Sequence, residues 1–420
     1  MLLLRGTGQG VSADLLIRNV RFVDASWQDP GDLFIHEGRI QALDHRLNIT
    51  GVPIIQGNGR TLLPGFVDLH AHFRDPGFPD KEDILSGSRA AAAGGYTAVS
   101  VMANTDPVCD CPDVARYIHD RAREAGLVEI FPVGAITCGL RGETLSDMDG
   151  LAPYVWAFSD DGCGVQRDDV MLSACRRAAS LGLPLIEHSE TQGIEDSTLS
   201  EALMVARDLV FSLHTGCRLH VAHVSSKETV SLIFAARKEN SKATCEVTPH
   251  HLCLDEKEGY TVNPPLTDRT TRESLANALV GGLIDAVATD HAPHTPEDKA
   301  RGMPGISGIE TAFPLLYSRL VKPGTLTLAQ LSRCMSLNPS RILGLSKGEL
   351  TPGYDGDIVL IEKDETYTVT ENSLVSRGKN TPLLETRLAG KIWATIHRGD
   401  ITFVDGKIKG RDFDDHRQVV

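Results

Sequence analysis

Apolar and polar positions change their period twice along the chain. In the stretch from Ala13 to Val23 they alternate, with Leu15, Ile17, Val20 and Phe22 in the apolar places. A period of two predicts a strand with one buried face. Leu33-Phe34-Ile35-His36 then runs into the turn residues Glu37-Gly38-Arg39, and Ile40 resumes a strand. The same style returns at the far end, in Asp357 to Ile361, Lys391 to His397, and Ile401 to Val404 before Asp405-Gly406. Residues 1–62 and 346–420 are therefore expected to pack together as one small β-sandwich domain.

Between these ends, short apolar runs alternate with segments of helical period. Strands are expected at Ala98 to Met102, Glu129 to Ile136, Tyr154 to Asp160, Pro184 to His188, Arg218 to Val224, Ala243 to Val247 and Ala286 to Thr289. Helices are expected at Ser86 to Ala93, Asp168 to Leu181, Ser197 to His214, Ser226 to Lys238 and Thr270 to Leu279. Together with the apolar run Thr61 to Val67, this makes eight βα units over residues 63–345. That pattern predicts an α/β fold, a (β/α)8 TIM-type barrel, with a doubly wound parallel sheet as the alternative.

Candidate chemistry favours the barrel, because residues able to bind a metal end strand after strand. Asp68-Leu69-His70-Ala71-His72 closes the first. Two histidines spaced i, i+2 on a strand point the same way and make half a metal site. Asp160 and Asp161 end the fourth strand, His188 the fifth, His223 the sixth and Asp290 the eighth. Barrel active sites collect at this C-terminal face. Four histidines and one or two aspartates suit Zn2+, singly or as a pair. Parity separates the two aspartates. Tyr154, Trp156, Phe158 and Asp160 share one face of the fourth strand, and Val155, Ala157, Ser159 and Asp161 the other. The smaller set suits the barrel interior, so Asp161 is expected to face the metal and Asp160 to cap a turn. His250 and His251, past the seventh strand, read as packing residues, and His36, His45, His119, His397 and His416 as surface residues.

Charge and cysteine content narrow the class. A net charge of −14 over 420 residues argues against a general binder of nucleic acid or anionic membrane. Nine scattered cysteines fit reduced thiols in a cytoplasmic protein better than a disulfide framework. Met1-Leu2-Leu3-Leu4 is too short for a signal peptide, and no run reaches the ~18–20 apolar residues of a membrane span.

Several motifs together carry a resemblance. Pro64-Gly65-Phe66-Val67-Asp68-Leu69-His70-Ala71-His72-Phe73-Arg74-Asp75-Pro76-Gly77 resembles the opening of the dihydroorotases in the amidohydrolase superfamily. Met102-Ala103-Asn104-Thr105, Phe158 to Gly162, Glu246 to Leu252, Asn263-Pro264-Pro265-Leu266, Thr289 to His294 and Gly308 to Leu316 follow in the family's order. The chain is most similar to the bacterial class I enzymes.

The resemblance implies reversible cyclisation of N-carbamoyl-L-aspartate to L-dihydroorotate in pyrimidine (UMP) synthesis. It implies His70, His72, His188, His223 and Asp290 as ligands of one or two Zn2+ per subunit. Many relatives bridge two metals with a carboxylated lysine from strand four, but no lysine lies between Phe131 and Asp161. Asp161 matches the aspartate that takes this place in class I. Zinc lowers the pKa of bound water to about 7. The resulting hydroxide would attack the ring amide, with Asp290 as the general base. Arg74, Asn104 and His294 resemble the family's carboxylate contacts, and Asn263 a contact to the pyrimidine ring. A homodimer and an aspartate transcarbamoylase partner are further implications. Two other readings share the scaffold. One is a cyclic amidase of the allantoinase or hydantoinase kind, which uses the absent lysine. The other is a non-catalytic dihydroorotase-like subunit of aspartate transcarbamoylase, which would have lost ligands filled here.

Two departures shape expectations at the rim. The interval from His188 to His223 is shorter than the class I pattern, and Glu190 to Ser200 lacks the usual glycine-rich excursion. Thr295 to Gly305 is charged and rich in Pro and Gly, and is expected to be a mobile loop, with Met303-Pro304-Gly305 in place of the family's Pro-Phe-Gly.

Overall fold

The structure is a computed structural model that describes residues 14–414, so the Met1–Leu4 start and His416 lie outside the described residues. The chain first lays down β1 (Leu15–Val23), β2 (Gln28–His36), β3 (Arg39–Asp44), β4 (Ile54–Gln56) and β5 (Thr61–Pro64). It then enters eight parallel strands: β6 (Phe66–Ala71), β7 (Tyr96–Val101), β8 (Glu129–Gly134), β9 (Ala157–Phe158), β10 (Leu185–Glu187), β11 (Leu219–Val221), β12 (Thr244–Val247) and β13 (Ala286–Val287). These pair in unbroken sequence from β6 to β13. Closure comes just past β13, where His72 N–H donates to His291 O at 2.8 Å and Thr289 N–H to the Asp68 carboxylate at 2.9 Å. This is the expected barrel, not the doubly wound sheet.

Helices cover the barrel: α1 (Ile84–Ala93), α2 (Pro112–Ala125), α3 (Met148–Leu151), α4 (Asp168–Leu181), α5 (Ser197–Thr215), α6 (Lys227–Lys238), α7 (Pro249–Cys253), α8 (Arg269–Val280) and α9 (Pro296–Ala300). Their ends follow local capping chemistry. Asp196 accepts from Leu199 N–H at the start of α5, and Ser226 from Thr229 N–H at the start of α6. Gly182 stops α4 in a left-handed conformation, φ 72°, which costs glycine little.

The terminal strands form one continuous sheet with β14 (Ile358–Thr368), β15 (Arg387–His397), β16 (Asp400–Val404) and β17 (Lys407–Ile408), in the order β17-β16-β15-β14-β5-β1-β2-β3. It is mixed, since β1 runs parallel to both β4 and β5. Ile40 N–H donates to Tyr354 O, and Gly356 N–H to Gly38 O, so the β2–β3 end curls back toward the approach to β14. The apolar faces enclose a core of Leu15, Ile17, Phe22, Leu33, Ile35, Leu360 and Ile396.

Two expectations fail for physical reasons. Trp156 does not face the helices. It packs with Ala157, Phe131 and Ile186 inside the barrel, and its indole N–H donates to Ser100 Oγ. The regular part of that strand is only two residues long, so strict alternation does not extend back to Trp156. Thr295 to Gly305 is not a bare loop either. It contains α9, and Lys299 Nζ ties it to Thr261 O at 3.1 Å while closing it on its own Met303 and Gly305 carbonyls at 2.8 and 3.1 Å.

Below the barrel, fully buried Lys347 meets Glu129 at 3.2 Å, Asp355 at 3.1 Å and Asp357. His397, read from sequence as a surface residue, is half-buried and contacts Asp357 Oδ1 at 3.1 Å. Burial opposes charge on Asp357 and Glu129, but Lys347 and its cationic neighbours outweigh it and hold both carboxyls below their usual range. Such groups stabilise fully above their unfolded values near pH 4 and lose that contribution as pH falls through the folded ones. Lys347→Met should cost about 3–5 kcal/mol at pH 7, because it strands buried carboxylates. Urea unfolding should show that loss shrinking toward pH 3. A pH-independent difference would contradict the ion-pair account.

Candidate metal centre

The strand ends bring six side chains to one point at the C-terminal mouth of the barrel. Asp161 sits at the centre. Its carboxylate lies 3.3 Å from His70 Nε2, 3.5 Å from His72 Nε2, 3.5 Å from His188 Nδ1 and 3.7 Å from His223 Nε2. Asp290 Oδ1 lies 3.1 Å from His72 Nε2 and 3.7 Å from His70 Nε2. His188 Nδ1 and His223 Nε2 approach each other to 2.9 Å. Two triplets, His70–His72–Asp290 and His70–Asp161–His223, have ligand-type atoms close enough to share an ion.

The donor set fits a divalent metal. All six residues are buried. Among the described residues, His70 Nε2 and Asp161 Oδ1 have no hydrogen-bond partner, although they are only 3.3 Å apart. Buried polar atoms rarely stay unsatisfied. Here they converge with further nitrogen and oxygen donors of the type that first-row divalent ions take. Electrostatics point the same way. Burial disfavours the Asp161 anion, yet the imidazoles, His70 foremost, drive its carboxyl well below the usual range. Burial likewise opposes a charge on His188, but Asp161 and Glu190 push it up to about 10. A compact centre of positive charge belongs among these groups.

Asp160 turns away. Its carboxylate accepts from Ile136 N–H at 2.8 Å, Thr137 N–H at 3.0 Å and the Thr137 hydroxyl. It thereby holds the loop after β8 rather than its own turn. His250 and His251 are buried on α7, with His251 bonded to Thr248 Oγ1 and Pro264 O.

Around the cluster stand the four residues expected to meet substrate. Asn104 Oδ1 lies 2.9 Å from His72 Nδ1. Asn263 Nδ2 donates to Glu190 at 3.0 Å beside His188 Nε2. Arg74 Nε reaches Pro293 O at 3.4 Å, and its guanidinium lies 3.4 Å from His294 Nε2. Among the described residues, no carboxylate pairs with Arg74. His294 also contacts Pro304 O at 2.9 Å. Arg74 and two residues of the cluster, His223 and Asp290, carry backbone strain, with positive φ of 58°, 30° and 46°. Such outliers cost about 1–3 kcal/mol each and cluster at functional sites. The short connection after β10 is tight. Thr191 N–H donates to Ser200 Oγ at 2.8 Å, and Gln192 N–H to Gln166 at 3.0 Å.

One supporting residue escaped the sequence reading. Glu246 on β12 is buried and receives His70 Nδ1 at 3.0 Å and His220 Nε2 at 3.0 Å. The signal was present: a lone acid inside the apolar run Ala243 to Val247. Its two imidazole partners hold its carboxyl down at about 2 against the effect of burial, so it stays ionised and fixes the tautomer that leaves His70 Nε2 free to bind.

A family model described as dihydro-orotase-like matches residues 59–200. A dihydroorotase of Clostridium botulinum is 40% identical over 93% of this chain and 99% of its own. One of Acetivibrio thermocellus is 37% identical over 92% and 98%. The chain belongs to the dihydroorotase family. The same fold occurs in the L-hydantoinase (dihydropyrimidinase) of Arthrobacter aurescens, with a TM-score of 0.86 at 23% identity over 95% of this chain and 98% of that one. A dihydropyrimidinase from Brevibacillus agri superposes with a TM-score of 0.84 at 21% identity, over 95% and 97%. Both neighbours speak for the barrel and its terminal sheet.

If the cluster holds a metal, Glu246→Gln should weaken its retention about 10- to 100-fold, the usual effect of removing a ligand's supporting carboxylate. Chelator competition measures it. Unchanged affinity would contradict the tautomer-fixing role.

Proposed function

We propose that this chain is a zinc-dependent dihydroorotase of the class I kind, interconverting N-carbamoyl-L-aspartate and L-dihydroorotate. The observation that carries the reading is the position of Arg74. A guanidinium with no carboxylate partner among the described residues stands beside a buried His/Asp cluster and is electrostatically coupled to Asp290 and Asp161. A substrate bearing a carboxylate next to a cyclic amide fits both features. Neutral rings such as hydantoin leave the arginine without a partner.

In this proposal His70, His72, Asp161, His188, His223 and Asp290 would hold one or two Zn2+. A zinc ion there supplies Lewis-acid polarisation and an acidified water. The chain supplies the rest. Arg74 forks onto the substrate carboxylate. Asn104, turned by its oxygen toward His72, keeps its amide N–H groups for the same carboxylate, and His294 flanks it. Asn263 orients the ring. Asp290 takes the proton from the attacking water and returns it to the leaving ring nitrogen. In reverse it deprotonates the carbamoyl nitrogen.

Purified enzyme should therefore turn over dihydroorotate in preference to hydantoin and allantoin. Asp290→Asn should lower kcat by at least about 100-fold while the fold survives. Turnover of hydantoin or allantoin alone would refute the substrate assignment, and near-normal activity in Asp290→Asn would refute the base.

A cytoplasmic setting is part of the proposal, supported by nine unpaired cysteines. So is a homodimer. Leu199, Leu203, Val210 and Leu213 are exposed on α5, and their spacing puts them on one stripe. No helix of the described residues is long and apolar enough to cross a membrane. A partner helix of a second copy would cover the stripe, and antiparallel packing would set the acidic Glu195–Asp196 end against His214. Val210→Asp should then convert dimer to monomer in light scattering. An unaltered mass would remove α5 from the interface.

A further inference from the structure

The segment joining β14 to β15 leaves the terminal sheet and reaches the mouth of the barrel. There Asn380 is buried between the two legs of the loop that carries His294. Its Oδ1 accepts from His294 N–H at 2.8 Å and from Ser307 Oγ at 2.7 Å. Its Nδ2 donates to Ala292 O and Gly305 O, each at 3.0 Å. Its own carbonyl accepts from Ser307 N–H at 2.8 Å. One side chain thus ties residues 292–294 to residues 305–307. A carboxamide has two acceptor and two donor positions, and all four are used here. Asn380 has none left for a substrate.

The surroundings are built for this contact. A Cβ at Gly378 would lie 2.6 Å from Pro293 Cβ and 2.9 Å from His294 N, so only glycine lets the strap come this close. The strap is anchored upstream. Glu310 accepts from Val375 N–H at 2.6 Å and Ser376 N–H at 2.9 Å. Glu82 accepts from the Ser376 hydroxyl and from Arg377 N–H. The loop leg it holds is the one Arg74 leans on, through Pro293 O and His294.

We propose that Asn380 is a positioning residue for substrate recognition, setting the separation of Arg74 and His294 through the loop that carries His294 and that Arg74 contacts. This rests on the reading above that those two residues meet the substrate carboxylate. It assigns to the terminal sheet a part in the active site.

The test is steady-state kinetics with dihydroorotate on Asn380→Ala, Ser307→Ala, Arg74→Lys and the Arg74→Lys/Asn380→Ala double variant. Hydrogen exchange of residues 292–307 is followed in parallel. Asn380→Ala should raise KM about tenfold or more, a displacement effect of the size small misplacements produce, with kcat within about threefold and metal content unchanged. Ser307→Ala, which removes one of the four bonds, should raise KM about two- to fivefold. It carries the test if Asn380→Ala does not fold. In the Arg74→Lys background, Asn380→Ala should add less than about twofold to KM, since both act on one contact. Exchange at 292–307 should quicken in Asn380→Ala, or in Ser307→Ala if only that variant folds. Unchanged KM, a fall in kcat alone, or full additivity would overturn the proposal. Wild-type protein without dihydroorotate turnover would overturn the functional reading instead. Exchange would then decide alone whether Asn380 holds residues 292–307 together, and unchanged protection would overturn it.

Discussion

One buried carboxylate organises the mouth of this barrel. Asp161 is an anion at the centre of four imidazoles, within 3.3–3.7 Å of each. Burying an isolated carboxylate is costly, so the fold has to supply compensating charge from several strands at once. A closed parallel barrel does that. Its strands end in a ring, and side chains of correct parity at each end point to the axis. The first strand contributes two imidazoles because its histidines are two residues apart. The fifth and sixth contribute one each, and the eighth returns a second carboxylate to His72.

Beneath this ring lies a layer that fixes its orientation. Glu246 holds His70 and His220, while Asp68 is bonded to Thr289 across the closure. The closing contact is thus made by residues next to the donors, so barrel closure and the convergence of those donors depend on the same bonds. The strained φ angles of Arg74, His223 and Asp290 fit that view. Each follows or ends a strand, where the chain must turn at once to aim a side chain inward, and the surrounding bonds hold it there.

Much of this was legible in the chain. The period-two runs, the helical segments between them and the histidines and aspartates at strand ends predicted the barrel and the converging donors. Asp161 was separated from Asp160 by parity, although the same argument put Trp156 on the wrong face because the strand is regular for only two residues. Other features were hidden for a common reason: they depend on contacts between segments far apart in sequence. His397 reads as a surface residue until Asp357 is seen beside it. The charged stretch 295–305 reads as a bare loop until Lys299 is seen reaching the distant Thr261 carbonyl. Nothing near Asn380 announces that it spans two legs of a loop more than 70 residues away. Composition reports the chemistry available, and only the fold reports which groups are spent on each other.

The central claim is that the six convergent side chains hold the metal on which dihydroorotate turnover depends. Metal-free protein titrated with zinc, with bound metal and dihydroorotate turnover read on the same samples, tests it most directly. The account predicts that activity is absent without metal, rises in proportion to bound zinc, and saturates at one or two ions per chain. Full turnover by metal-free protein, or stoichiometric zinc with no turnover of dihydroorotate, would contradict it.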